Sequence, residues 1–148
     1  AVEAAVAAMR GHLQIEHVQR SACVALSNMT MDNAENATRA GYAGAVEAVV
    51  AAMRAHLPSE ELQLTAGGAL SAMTFGNHVN RTRAGPAGAV AAINAALTTH
   101  SASASVGHYL TPLLRLLLSD AATVAMAPVV TTLAMAPVVT VATNNAND

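Results

Sequence analysis

Reactive side chains are sparse in this chain, and their spacing decides what they can do. Three of its six histidines, His12, His56 and His100, stand 44 residues apart. Zinc ligands must all lie about 2 Å from the metal, whereas packed helices lie about 10 Å apart. A column of equivalent histidines therefore cannot share one ion. His12 and His17 lack a nearby cysteine or carboxylate cluster. All of these read as helix-end polar residues. Glu60 and Glu61 suit the positive start of a helix, so neither reads as a general acid or base. Cys23 falls within a helical pattern, where a packed thiol is expected rather than a nucleophile. Gly67 and Gly68 also lie within a helical run, so they form no phosphate loop. The expectation is a protein that is not an enzyme, with no catalytic residues, no cofactor and no metal.

Charge narrows the partners further. The net charge is −2, and the seven arginines are scattered, so no nucleic-acid face is expected. One cysteine allows no internal disulfide, which fits a reducing, intracellular compartment, cytoplasmic or nuclear. Asn28-Met-Thr30, Asn36-Ala-Thr38 and Asn80-Arg-Thr82 match the glycosylation triplet. With no secretory signal in the sequence, they read as accidental.

The elements that must position these groups come from a duplication. Ala1–Gly44 and Ala45–Gly88 align without a gap and share 27 of 44 residues. A 44-residue period falls among helical repeats and WD40 blades, and the alternating strands of a blade are missing. The composition is 53% hydrophobic, largely small and aliphatic residues, with no Trp. That favours tightly packed helices. Val46, Val49, Val50, Met53 and Leu57 form one helical stripe. Pro58 stops that helix, and Ser59 can cap the next. The following helix buries Leu62, Ala66, Leu70 and Met73, and Gly76 and Asn77 close it. A short helix is expected from about His78 to Ala84, ended by Gly85.

The segments "AGAVEAVVAAMRAH" and "ALSNMTMDNAEN" resemble the armadillo repeat, in which a third helix ends "ALxNL" before an Asn-containing loop. The resemblance implies an all-α, right-handed armadillo-like solenoid of about three repeats. The expected units are 1–44, which begins mid-unit, 45–88, and a degenerate unit at 89–120. In the last, Val90, Ile93 and Leu97 keep the stripe. Pro112 is expected to kink the third helix or to start a new one capped by Thr111. Residues 121–148 form an uncharged, repetitive tail in which "AMAPVVT" occurs twice. Two further short helices, each with Pro near its start, a partial repeat or disorder are the expectations there. A membrane anchor is the minor alternative, because no basic residues flank the segment. The opening inside an apolar run reads as a fragment of a longer protein.

Differences between the units point to a working face. On the third helix, Val18, Ala22, Leu26 and Met29 are the expected buried stripe. Arg20, Val24 and Asn28 lie about 200° from buried neighbours. In the second unit they become Leu64, Gly68 and Ala72, while Ala22, Leu26 and Met29 recur unchanged. In a solenoid this helix lines the concave surface. The expected function is a protein-interaction scaffold that binds a partner protein or extended peptide through Arg20, Val24, Asn28, Leu64, Gly68 and Ala72. Asn28 matches the peptide-binding Asn that the resemblance implies, whereas Ala72 and Leu116 do not. The family's Trp position is Val24, Gly68 and Pro112, so an asparagine ladder has one rung only. The alternatives are a regulatory or targeting module of a larger enzyme, such as a kinase or ubiquitin ligase, and a tail-anchored adaptor.

Overall fold

The computed structural model describes residues 1–135, with side chains through Asp120. Eight helices and no strand occur among the described residues: α1 (Val2–Gly11), α2 (Glu16–Thr30), α3 (Ala34–Ala43), α4 (Ala45–Ala55), α5 (Glu60–Thr74), α6 (His78–Ala87), α7 (Ala89–Thr99) and α8 (Ala104–Met135). The protein is all-α, and the 44-residue period is its packing rule. Helices related by that shift are neighbours: α2 packs on α5 and α5 on α8, α1 on α4 and α4 on α7, and α3 on α6.

Capping explains the boundaries. Asn33, Ser59 and Asn77 are N-caps whose side chains accept from the backbone N–H of Asn36, Leu62 and Asn80, each satisfying a donor that the first turn leaves free. Asn77 thus opens α6, and Phe75 is the C-cap of α5, with Gly76 between them at φ 68°. The core runs through Val46, Val49 and Met53 of α4, Leu62, Leu70 and Met73 of α5, Ile93 of α7 and Leu110 of α8, all fully or almost fully buried. Close approach needs small residues. A Cβ on Gly67 would run into Leu110 Cδ2, so this glycine leaves room for the leucine where α5 meets α8.

Several expectations are corrected here. The short helix does not end at Gly85. It continues through Pro86 to Ala87, and Gly88 ends it at φ 80°, a left-handed conformation that other residues adopt at a cost. Gly44 ends α3 in the same way at φ 82°. Pro112 does not start a new helix: α8 runs on through it, and through Pro128, to Met135. Pro112 and His108 are both exposed, so water can serve the His108 carbonyl that the missing Pro112 N–H leaves free. The first of the two short tail helices is therefore absorbed into α8. The second falls at 136–148, outside the described residues. Among the described residues no helix is long and apolar enough to cross a membrane.

The buried stripe of α2 also differs from expectation. Ala22 and Leu26 are buried, but Val18 and Met29 are only half-buried, while Gln19 and Cys23 are fully buried. Their counterparts Leu62 and Met73 in α5 are fully buried. The reason is position: α5 lies against both α2 and α8, whereas α2 has one such neighbour among the described residues.

Candidate functional site

Helices α2, α5 and α8 share a surface on which the sequence-chosen residues can be placed one by one. Val24 and Asn28 are exposed on α2. Leu64, Gly68 and Ala72 of α5 are half-buried, and all three line one groove of about 520 Å³. Ser27 and Met31 from α2 and Tyr109 from α8 complete its walls with Phe75. The pattern of differences between units thus led to the groove from the α5 side.

Arg20 stands apart. Its guanidinium pairs with Glu61 across the α2–α5 seam and lies 3.8 Å from Glu16 on its own helix. It is engaged within the protein and does not line the groove. Glu61, read above as a helix-start acid, is the partner that occupies it.

The groove holds residues that the comparison of units did not single out. Phe75 is 82% exposed, Tyr109 63% and Met31 57%. Single exposed apolar side chains are ordinary on a protein surface; several bordering one cleft are informative. A signal was available: Phe75, the only phenylalanine in the chain, replaces Met31 just past the helix end. Tyr109 had no such signal, because α8 had to be folded against α5 before it could face the groove.

The groove floor is small and neutral. A Cβ on Gly68 would meet only Ser27 Oγ, at an ordinary contact distance of 3.9 Å, so a side chain could be accommodated there. Val24 fills the equivalent position of the first unit. None of the groove-lining residues carries a formal charge. Among the described residues, the hydroxyls of Ser27 and Ser71 and the amide of Asn28 make no hydrogen bond, unlike Thr65, whose Oγ1 lies 3.1 Å from the Glu61 and Leu62 carbonyls. A second, smaller hollow of about 250 Å³ adjoins the groove at Met31, Ala72 and Phe75 and reaches Asp32 and Asn77.

Most other polar groups are structural. Gln19 donates through Nε2 to the carbonyls of Met9 and His12, and Gln63 repeats this to Met53 and His56. Asn80 Nδ2 donates to Ala37 and Met73 carbonyls. The histidine column has a role as well: His56 Nε2 lies 2.7 Å from the Leu13 carbonyl and His100 Nε2 2.8 Å from that of Leu57. Each joins the turn of one unit to the turn before it. Cys23 is fully buried, and loss of hydration pushes its thiol up to about 12, so it stays protonated and unreactive at neutral pH. A larger open groove of about 900 Å³ lies between α1 and α3. Of its three charged residues, Glu3, Glu35 and Arg39, Glu3 and Arg39 are bonded to each other at 2.5 Å, and this contact holds the Glu3 carboxyl below its usual range.

Compared with known proteins, the chain matches no family model, and no curated protein and no solved structure matches it.

Proposed function

We propose that this chain is an armadillo-like α-solenoid segment that serves as a protein-interaction scaffold, and that a partner protein or extended peptide lies along the face of α2, α5 and α8, the concave side of the solenoid. One observation carries the reading: a neutral, largely apolar groove bordered by Met31, Phe75 and Tyr109, whose exposed apolar surface is otherwise unexplained. The repeat alignment supports it, because Arg20, Val24 and Asn28 differ from their equivalents Leu64, Gly68 and Ala72, while the packed Ala22 and Leu26 recur as Ala66 and Leu70. Arg20 contributes less, since it is engaged by Glu61. Asn28 is exposed and unbonded among the described residues, and its amide can donate and accept together.

The test compares two faces. Asn28→Ala should fold as the parent does, since Ala is the better helix former. It should weaken a captured partner by about 1–2 kcal/mol. Glu47→Ala, on α4, removes a carboxylate 3.9 Å from Arg83 and should leave binding unchanged. With a partner isolated by pull-down, calorimetry reads both. An unchanged affinity for Asn28→Ala together with a loss for Glu47→Ala would move the working surface to α4.

A further inference from the structure

We infer that the end of the stack formed by α1, α2 and α3 is an interaction surface, and that it takes one more helical unit whose short helix carries a glycine and a tyrosine where the first unit has Gly41 and Tyr42. The inference concerns a different face from the groove of α2, α5 and α8 and does not rest on that reading.

Burial identifies the surface. Ala45, Ala48, Leu62, Met73 and Asn80 of the second unit are buried, and the first unit packs on the second through α1 on α4, α2 on α5 and α3 on α6. One period earlier the same positions hold Ala1, Ala4, Val18, Met29 and Asn36. Ala1 and Ala4 are exposed and the other three are half-buried. The first unit thus repeats the covered side of that seam and leaves it open among the described residues. Alanines there let another helix approach closely.

Hydrogen bonding says what fits. His56 Nε2 lies 2.7 Å from the Leu13 carbonyl of the unit before. Asn80 Nδ2 donates to Met73 in its own unit and to Ala37 in the unit before. The first unit keeps both reaching residues. His12 makes no such bond among the described residues, and Asn36 Nδ2 donates there to the Met29 carbonyl alone. The occupant therefore offers two carbonyls, one in a turn and one on a short helix.

Space requires the glycine. A Cβ on Gly41 would run into Asn80 Oδ1, so the Asn80 amide reaches Ala37 because position 41 has no side chain. A unit that meets Asn36 needs the same gap. Charge favours the tyrosine. Arg83 lies 3.9 Å from Glu47 and 5.2 Å from the centre of the Tyr42 ring, a cation over an aromatic face. Its equivalent Arg39 has the carboxylate partner, Glu3, and no ring among the described residues. The Arg39 side chain is 58% exposed against 32% for Arg83, and it borders the open groove of about 900 Å³.

A second copy of this chain does not offer that combination. The Gly41 gap and the Leu13 carbonyl are filled by the second unit. The Leu57 carbonyl is taken by His100, and Pro86 stands in place of the tyrosine. In the third unit α8 runs straight through the position of the short helix. The occupant is therefore a helical unit other than the three present here.

The probe is a copy of residues 1–44, because the second unit already packs on that unit's far side. It is joined ahead of Ala1 of the whole chain, in the register in which Gly44 precedes Ala45. Thermal melts followed by circular dichroism compare the extended chain with the parent. The extension should raise Tm by at least about 5 °C. Asn36→Ala, made in the parent portion, should lower Tm at least about twice as far in the extended chain as in the parent, because a second hydrogen bond is lost only there. Gly41→Ala in the added copy should lower Tm, and adding Asn36→Ala should remove most of that drop. A copy that was merely misfolded would show no such rescue. Tyr42→Ala in the added copy should give a smaller drop. No rise in Tm, an equal cost of Asn36→Ala in both proteins, or a Gly41→Ala drop without rescue would overturn the inference. Unchanged Tm for Tyr42→Ala would strike the tyrosine from it. Sedimentation of the parent tests the other occupant: self-association that Asn36→Ala abolishes would give this face to a second copy and overturn the inference as well.

Discussion

The seam between α2 and α5 and the seam between α5 and α8 are built to the same plan and filled differently. Both keep the turn-to-turn bond of a histidine, His56 to Leu13 and His100 to Leu57. Both keep a serine hydroxyl on a glutamate, Ser59 on Glu16 and Ser103 on Glu60. The apolar filling changes. At the second seam a glycine, Gly67, faces a large residue, Leu110. One period earlier those positions hold Cys23 and Ala66, a larger residue paired with a smaller one. The first seam has the Arg20–Glu61 ion pair, and its equivalents at the second are Leu64 and Ser105. Bonds to backbone fix how units stack, so they persist. Volume can move from one side of a seam to the other provided the sum is kept. Leu64, which stands in place of the arginine, is uncharged and lines the groove that α2, α5 and α8 share.

Swapping volumes is the sharpest way to test this. Leu110→Ala should destabilise the protein by about 2–5 kcal/mol, and Gly67→Cys by about 1–3 kcal/mol through overpacking against Leu110. Together they recreate the first seam's pair, so the double variant should be at least about 1 kcal/mol more stable than additivity predicts. Denaturant melts of the four proteins measure the coupling, and strict additivity would break the comparison.

The buried amide clamp separates the units next. Gln63→Ala strands the Met53 and His56 carbonyls and should cost about 1–3 kcal/mol. The third unit has Gly107 at this position, so Gly107→Ala, in a helix with open space around it, should be neutral or stabilising by about 0.5–1 kcal/mol. Thermal melts rank the two.

The two glycines at the end of α6 should respond with opposite signs. Gly88→Ala forces a positive φ and drives a Cβ into Arg54, at a cost of about 1–2 kcal/mol. Gly85→Ala is helical and unobstructed and should add a few tenths up to about 1 kcal/mol. If both destabilise, Gly85 has a role beyond the helix end.

Cys23 reports on the first seam through pH. Its folded thiol is raised to about 12, above the usual value near 8.5. The neutral thiol's contribution is complete below about pH 8.5 and declines as pH rises from there toward 12, because the unfolded chain ionises first. Alkylation at pH 8 should therefore track unfolding, and fast labelling of the folded protein would show the seam to be loose.

The smallest effect belongs to the ion pair. Arg20→Ala should cost about 0–1 kcal/mol, less in high salt, because Glu61 is mostly exposed. A larger loss would mean that charge, rather than volume, holds the first seam.

The sequence by itself determined the helical class, the 44-residue unit and the cap at Ser59, because periodicity and capping are local, whereas Asn77 opens α6 instead of closing α5. It also singled out Gly68 and Ala72 through differences between the units, and both are half-buried in the groove lining instead of fully exposed. Tertiary structure decided the rest. Gly88 rather than Gly85 ends α6, because the turn into α7 needs a left-handed residue. Pro112 stays within α8, because it lies on an exposed side where water can replace the lost bond. Arg20 is withdrawn from the face because Glu61, 41 residues away in sequence, comes beside it when α2 meets α5. Tyr109 becomes part of the groove for the same kind of reason. A helix's sequence sets which side chains share a face, but only its neighbour in the stack decides whether that face is covered, paired or left open.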